Sequence, residues 1–206
     1  TLIRRSIMNN KSFMEVLKNR RTIYTLSKET TISNEKIEEI IKDAVKYVPS
    51  AFNNQSARVV LLYGENHKKL WEIVMNTLRK VVPAGKFEPT ENKIKGLAES
   101  YGTILFFDST RTTKELMEKF PLYRDNFPVW AEQANGMLQF AIWSLLAEQG
   151  LGASLQHYNP LIDDEVKEVF EIPKSWKLIA QMPFGKPTAP APGKEFLPIE
   201  KRVIVL

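Results

Sequence analysis

Apolar residues recur at helical spacing over residues 37–48, 66–81 and 129–149, and stand as unbroken runs at 58–63 and 103–108. Helices and strands are therefore expected to alternate. Ser12-Phe13-Met14-Glu15 has the form of a capping box, which predicts a short helix to about Arg20. Arg21 to Tyr24 reads as extended. Ser33 caps a second helix with a stripe of Ile37, Ile40, Ile41, Ala44, Val45 and Val48, and Pro49 ends it. A polar loop, Ser50 to Ser56, leads into Arg58 to Tyr63, which reads as a buried strand. Residues 66–81 form an amphipathic helix carrying Leu70, Ile73, Val74, Met75 and Leu78. The segment 82–93, with Pro83, Gly85 and Pro89, reads as a surface excursion. Thr103 to Asp108 reads as a second buried strand.

Residues 129–149 are the strongest element. Trp130, Ala134, Met137, Leu138, Ala141, Ile142, Leu145 and Leu146 recur at helical spacing, and Phe140 and Trp143 extend the apolar face nearly all round. Such a helix is central or lies in a subunit seam. Trp130 and Trp143 read as core. Gly150-Leu151-Gly152 breaks the helix, and Ala153 to His157 reads as a strand. Asp163 is expected to cap a short helix at 164–170. Trp176 to Met182 reads as a strand that ends at Pro183-Phe184-Gly185-Lys186-Pro187. An arm rich in Pro, Ala and Gly follows at 188–193, then a last apolar strand from Val203 to Leu206. No internal repeat is visible. Helices first, then alternating strands and helices, imply an α+β fold, and 206 residues suit one domain, 1–206.

Composition narrows the chemistry. The chain is 43% hydrophobic and 26% charged, ordinary for a globular protein. It has no cysteine, so disulfides, thiolate catalysis and cysteine metal sites are excluded. Only His67 and His157 remain as nitrogen ligands, and no zinc site is supported. No nucleophile elbow and no glycine-rich phosphate loop occurs, so neither a serine hydrolase nor a dinucleotide-binding Rossmann domain is supported. No apolar stretch is long enough to span a bilayer, and a cytoplasmic location is expected. The net charge is +5, but the basic residues are scattered among glutamates, and no nucleic-acid arm is present. The chain begins at Thr1. Met8 followed by Asn9-Asn10-Lys11 reads as a natural start, which would make residues 1–7 a leader or an addition.

Three polar clusters carry candidate chemistry. Arg20-Arg21-Thr22 pairs forked guanidinium donors with a hydroxyl, which suits a phosphate; a solvated helix end is its ordinary reading. Ser50-Ala51-Phe52-Asn53-Asn54-Gln55 presents amide donors and acceptors together, which suits a ring with a urea-like edge; an Asn-rich turn is its ordinary reading. Pro183-Phe184-Gly185-Lys186-Pro187, with Lys194 beyond it, offers close backbone approach and charge; a solubilising surface loop is its ordinary reading. Phe52, Phe127 and Trp130 are candidates to line a substrate channel.

Taken in order, these clusters resemble the FMN-dependent nitroreductase family. The likeness is closest to its small subgroup of yeast fatty-acid-repression-type proteins and bacterial copper-induced nitroreductases. It runs from Ser12 to Val205. It is carried by Arg20-Arg21-Thr22-Ile23-Tyr24, by Pro49 to Gln55, by Gly150 to Pro160, by Phe184-Gly185-Lys186-Pro187 and by Lys194-Glu195-Phe196. The resemblance implies a nitroreductase-like fold, a central mixed or antiparallel sheet flanked by helices in an intertwined homodimer. The 129–149 helix would be the seam, with non-covalent FMN at the dimer interface. It implies that Arg20 and Thr22, with Arg21 beside them, contact the phosphate and ribityl chain, and that Lys194 closes on the phosphate, with Lys186 in the same cluster. Asn53 would contact the polar edge of the flavin, with Ser50, Ala51 and Gln55 in the same wall donated by the partner. Gln156, His157 and Tyr158 would lie against the ring near N5.

Three positions depart from the family pattern. Tyr24 stands where a basic residue faces the flavin pyrimidine. Ser56-Ala57 replaces a Pro-aromatic pair, and Phe196 replaces a second basic residue. The implied activity is ping-pong hydride transfer from NADH or NADPH through the flavin N5 atom to nitroaromatics or quinones. Small aromatic acceptors are the expected partners, with no nucleic acid and no membrane. No side chain is an obligate acid or base, and His157 is the one candidate proton donor. The alternative is an FMN-binding redox or lipid-signalling regulatory protein with little turnover.

Overall fold

Strand β5 (Trp176–Pro187) organises the sheet, because it pairs with three other strands. In the computed structural model, which describes residues 12–206, the five-stranded sheet runs β1 (Leu26–Ser27), β5, β3 (Gly102–Ser109), β2 (Ala57–Tyr63), with β4 (Gly152–Ala153) also on β5. Every strand pair is antiparallel, while an isolated bridge joins Thr22 to Ala153 in parallel. The seven described α-helices are α1 (Phe13–Asn19), α2 (Asn34–Tyr47), α3 (Gly64–Val81), α4 (Glu88–Ala98), α5 (Thr110–Lys119), α6 (Asn126–Glu148) and α7 (Asp163–Val169). The α+β fold is as the pattern implied. The reading of Met8 as a start lies outside the described residues.

The two faces of β3 follow the period of two of a strand. Ile104 and Phe106 point to α2 and α6, where Ile37, Ile41, Leu138, Ile142 and Leu146 close one core. Leu105 and Phe107 point the other way, into Leu70, Trp71, Val74, Ile94, Leu97 and Val166 of α3, α4 and α7. On β5 the parity changes once. Phe106 opposes Ala180 but Phe107 opposes Leu178, so Ile179 is an extra residue that forms a bulge. Leu178 thereby joins the α3 core, while Ala180, Met182 and Phe184 join the α2–α6 core.

Several local expectations are corrected. The 82–93 segment is not an excursion: α4 begins at Glu88, with Pro89 in its first turn, where a missing N–H costs nothing. A fifth helix, α5, follows β3. β5 does not end at Pro183 but runs to Pro187, with Pro183 opposite Thr103. β2 is an edge strand and largely half-buried rather than fully buried. The strand expected over Ala153 to His157 is two residues of β4 plus one bridge, Gln156 to Gln181. Asp163 is the first residue of α7, not its cap, and its Oδ1 is buried without a hydrogen-bond partner. Burial raises the Asp163 carboxyl pKa. Val203 to Leu206 forms no strand and is exposed throughout, because no sheet edge of the same chain lies against it. Val45, placed in the apolar stripe of α2, is also exposed. Among the described residues, no helix is long and apolar enough to cross a membrane.

Candidate functional site

The capping box forms as written: Ser12 Oγ accepts from the Glu15 backbone N–H, and Glu15 accepts from the Ser12 N–H at 2.6 Å. It fixes where α1 ends, and Arg20 is its C-cap. The chain then turns extended. The Ile23 N–H donates to the Ala153 carbonyl at 2.9 Å, which seats Thr22 beside β4. The arginine cluster is thus brought to the Gly150 to Pro160 stretch, with Thr22 and Ala153 lying 131 positions apart along the chain.

Arg20 lies across α6. Its guanidinium carbon is 4.4 Å from the Trp143 ring centroid and 6.0 Å from that of Phe140. The Arg20 Nε and the Trp143 Nε1 are both buried donors without a partner among the described residues. Burial, followed by the neighbouring Arg21 charge, lowers the Arg20 pKa. Two sealed donors and a partly desolvated cation make a strong demand for an anionic acceptor. Trp143 is therefore half-buried under an arginine rather than plain core.

Arg21 is engaged elsewhere. It donates to the Pro192 carbonyl at 2.6 Å, which ties the C-terminal arm to this cluster two residues before Lys194. Lys194 sits over the ring of Phe196 at 5.1 Å. Lys186 pairs with Glu29 at 2.7 Å. Gly185 does not admit a ligand: a Cβ there would meet the Ser27 carbonyl and the Tyr101 N–H, so its close approach is to backbone of the same chain.

Gln156 is buried in a reciprocal backbone bridge with Gln181, donating at 2.7 Å and accepting at 2.9 Å. Its side chain donates to Ser154 at 3.1 Å. His157 is exposed. The Tyr158 N–H donates to the Gln181 side chain at 2.8 Å, and its ring stands edge-on to Trp71 at 6.0 Å. Burial pushes the Tyr158 hydroxyl pKa up to about 12, and its oxygen has no partner among the described residues. Gln181 was missed from sequence. Its signal was available, as a single amide inside the apolar run Trp176 to Met182.

The amide loop is a single 3-10 turn, Ala51–Asn53, with Phe52, Asn53 and Gln55 all at positive φ. Such backbone costs energy in non-glycine residues and is held by local bonds. Ser50 Oγ accepts from the Gln55 N–H at 3.1 Å, and Arg58 donates to the Gln55 carbonyl at 2.6 Å. Ser50, Asn53 and Gln55 line a cavity of about 170 Å³ with Ala134 and Leu138 of α6. Phe52 stacks on Trp130 at 5.9 Å and meets Phe120, Tyr123 and Phe127. Trp130 is half-buried here, not core. Phe127 is fully buried and lines no channel; Phe52, half exposed, remains available.

Among the described residues, no hydrogen bond or ring contact joins the amide loop to the arginine cluster. Phe52 lies on Trp130, and Ser50, Asn53 and Gln55 face Ala134 and Leu138, whereas Arg20 lies on Phe140 and Trp143, further along α6. Inside α6, two amides missed from sequence are buried. Asn135 donates to the Phe107 carbonyl at 2.9 Å, and Gln139 donates to Asn135 at 2.7 Å.

His67 takes no part in this site. It is buried between Thr103 at 2.9 Å and the Ala98 carbonyl at 3.1 Å. The carbonyl requires a proton on Nε2, and burial lowers its pKa, so His67 is a neutral structural histidine. Among the described residues, no group of three or more His, Asp or Glu side chains could hold a metal ion.

Comparison with known proteins identifies the family. The Nitroreductase family profile matches residues 17–186. The Saccharomyces cerevisiae protein HBN1, described as a nitroreductase, is 36% identical over 188 residues, covering 90% of this chain and 93% of its own. The structure of nitroreductase CinD from Lactococcus lactis with nicotinic acid is 46% identical, with a TM-score of 0.89. It covers 95% of this chain and all of the other. The same protein has also been solved with 4-nitrophenol. A nitroreductase structure from Exiguobacterium sibiricum in complex with FMN shares the fold at 16% identity and a TM-score of 0.70, covering 96% of this chain and 98% of that one.

Proposed function

The chain belongs to the nitroreductase family and is an oxidoreductase, and from that premise we propose that it binds FMN non-covalently and passes electrons from NADH or NADPH to nitroaromatics or quinones. The observation that carries the cofactor is the Arg20–Trp143 stack, with its two buried donors lacking an acceptor. A phosphate would be an acceptor suited to the rest of this forked, partly desolvated guanidinium. Arg20 would hold it, Thr22 would bond the adjoining chain, and Lys194 would close on it from the arm that Arg21 ties down. Gln156, His157 and Tyr158, braced by Gln181, would form the wall beside the ring. Bound FMN would supply two-electron redox chemistry, and the protein would supply position and electrostatics. The ligands of CinD, 4-nitrophenol and nicotinic acid, support an open, stacking site for small aromatics. No side chain is assigned as an obligate acid or base.

A visible spectrum of the purified chain tests this reading. A flavin band should bleach with NADH or NADPH without air and return when a nitroaromatic is added. A chain that FMN cannot colour would sink it. A flavin that neither nicotinamide bleaches would favour the regulatory alternative.

The same proposal makes the working unit a homodimer with ping-pong turnover. Its support is that the amide loop and Arg20 make no contact with each other and lie on different residues of α6, Ala134 and Leu138 against Phe140 and Trp143, so a second chain would bring its own loop to Arg20. Exposed apolar residues mark where that chain would sit. Phe13 and Met14 of α1, Met137 of α6 and the whole of Val203 to Leu206 are uncovered. β2 is an open edge, flanked by an apolar groove of about 600 Å³ that includes Ile41, Val45, Val59 and Leu61. Val203 to Leu206 of a partner could add to that edge. Removing residues 203–206 is expected to shift the chain from dimer to monomer in sedimentation velocity and to weaken FMN retention. An unchanged dimer would place the seam elsewhere.

A further inference from the structure

Resting on the FMN reading above, we propose that Lys93 is the cation beside the isoalloxazine of bound FMN, and that it supplies the charge missing at Tyr24. Tyr24 lies two residues beyond the arginine cluster and has no basic group, so the side chains of Arg20 to Tyr24 provide no cation at their distal end. α4, a helix not evident from the sequence, brings one from elsewhere. Tyr24, Asn92, Lys93, Gly96 and Leu97 line one cavity of about 310 Å³. The Lys93 ammonium lies 5.8 Å from the ring centroid of Tyr158, the last residue of the Gln156 to Tyr158 stretch. Gly96, one turn on, leaves that face open: a Cβ there would meet nothing within 4 Å.

Lys93 also differs from the cations around it. Lys95 on the same helix pairs with Glu91, Lys28 pairs with Glu99, and Lys186 pairs with Glu29. Among the described residues, Lys93 has no carboxylate partner; its neighbours are the two tyrosines and Asn92. Its charge is therefore not neutralised locally. A reduced isoalloxazine carries more negative charge than an oxidised one, and a fixed cation beside it favours the reduced form.

The test is the two-electron midpoint potential of bound FMN, measured anaerobically against a reference dye, together with FMN dissociation constants from fluorescence. Lys93→Met should weaken binding of reduced relative to oxidised FMN about tenfold, a fall of about 30 mV for a two-electron couple. Lys93→Arg should keep the wild-type potential, and so should Lys95→Met. Equal potentials in wild type and Lys93→Met, with both holding FMN, would overturn the assignment and leave the cofactor reading standing. Equal weakening of both redox forms would also overturn it, making Lys93 a binding contact only. A wild-type chain that takes up no FMN would remove the cofactor reading itself.

Discussion

Arg20→Met is expected to weaken FMN binding by roughly 10- to 100-fold. Hydrogen bonds to a charged group contribute about 1.5–3 kcal/mol, and each 1.4 kcal/mol is about tenfold in affinity. Methionine keeps the apolar body that covers Trp143 and Phe140, so the fold should persist while the charge and donors are lost. The contrast with Arg21 sharpens the test. Arg21 already spends a donor on the Pro192 carbonyl. Arg21→Met should therefore free the arm and cost a smaller factor. Fluorescence titration of the apoprotein with FMN measures both. Wild-type affinity in Arg20→Met would remove the phosphate assignment, because the sealed Nε of Arg20 would then need some other acceptor.

Gly185→Ala is expected to be the most damaging glycine-to-alanine change among the described residues. Its Cβ would press on the Ser27 carbonyl and stand 3.0 Å from the Tyr101 N–H, both backbone atoms that no rotamer change can move. β5 pairs with β1 here and packs the Tyr101 corner, so relief requires parting two elements. A cost on the order of 3 kcal/mol follows from overpacking in a rigid surround. At ~2–4 °C per kcal/mol for a chain of this size, Tm should fall by roughly 6–12 °C. Gly193→Ala is the matched control, because a Cβ there meets nothing within 4 Å and surface changes stay within about 0.5 kcal/mol. Equal melting temperatures for the two variants would show that β1 can move away from β5 at little cost.

Both expectations turn on contacts that no local pattern announces. Periodicity alone determined the capping box of α1, the stripe of α2, the apolar face of α3, the run of β3 and the length of α6, since each depends on residues within a few positions. The three polar clusters were legible as types of chemistry for the same reason: guanidinium forks, amides and lysines announce what they can bond. What the sequence could not decide was which of them meet. Thr22 reaches Ala153 through a bridge spanning more than a hundred residues, and only the tertiary fold makes it. The same holds for Arg20, whose partner is the face of a helix that reads from sequence as uniformly apolar.

The misreadings share one physical cause. Pro89 reads in sequence as part of a surface excursion, yet a first-turn proline is compatible with a helix, and the α3–α4 core selects the helical form. Pro183 reads in sequence as the end of β5, yet the β3 partner carries the strand through it. The Ile179 bulge cannot be seen in a run of apolar residues, but it decides that Gln181 faces Tyr158 rather than the α6 core. Lys93 became a candidate only when α4 folded it back towards Tyr24. Sequence by itself determined the elements with strong local periods, the absence of thiol chemistry and the kinds of groups available for a site. Tertiary structure alone decided the register, the burial of Gln181 and Asn135, and the separation of the amide loop from the arginine cluster. The reason is that local periods are set by neighbours along the chain, whereas strand pairing and a site's assembly are set by neighbours across it.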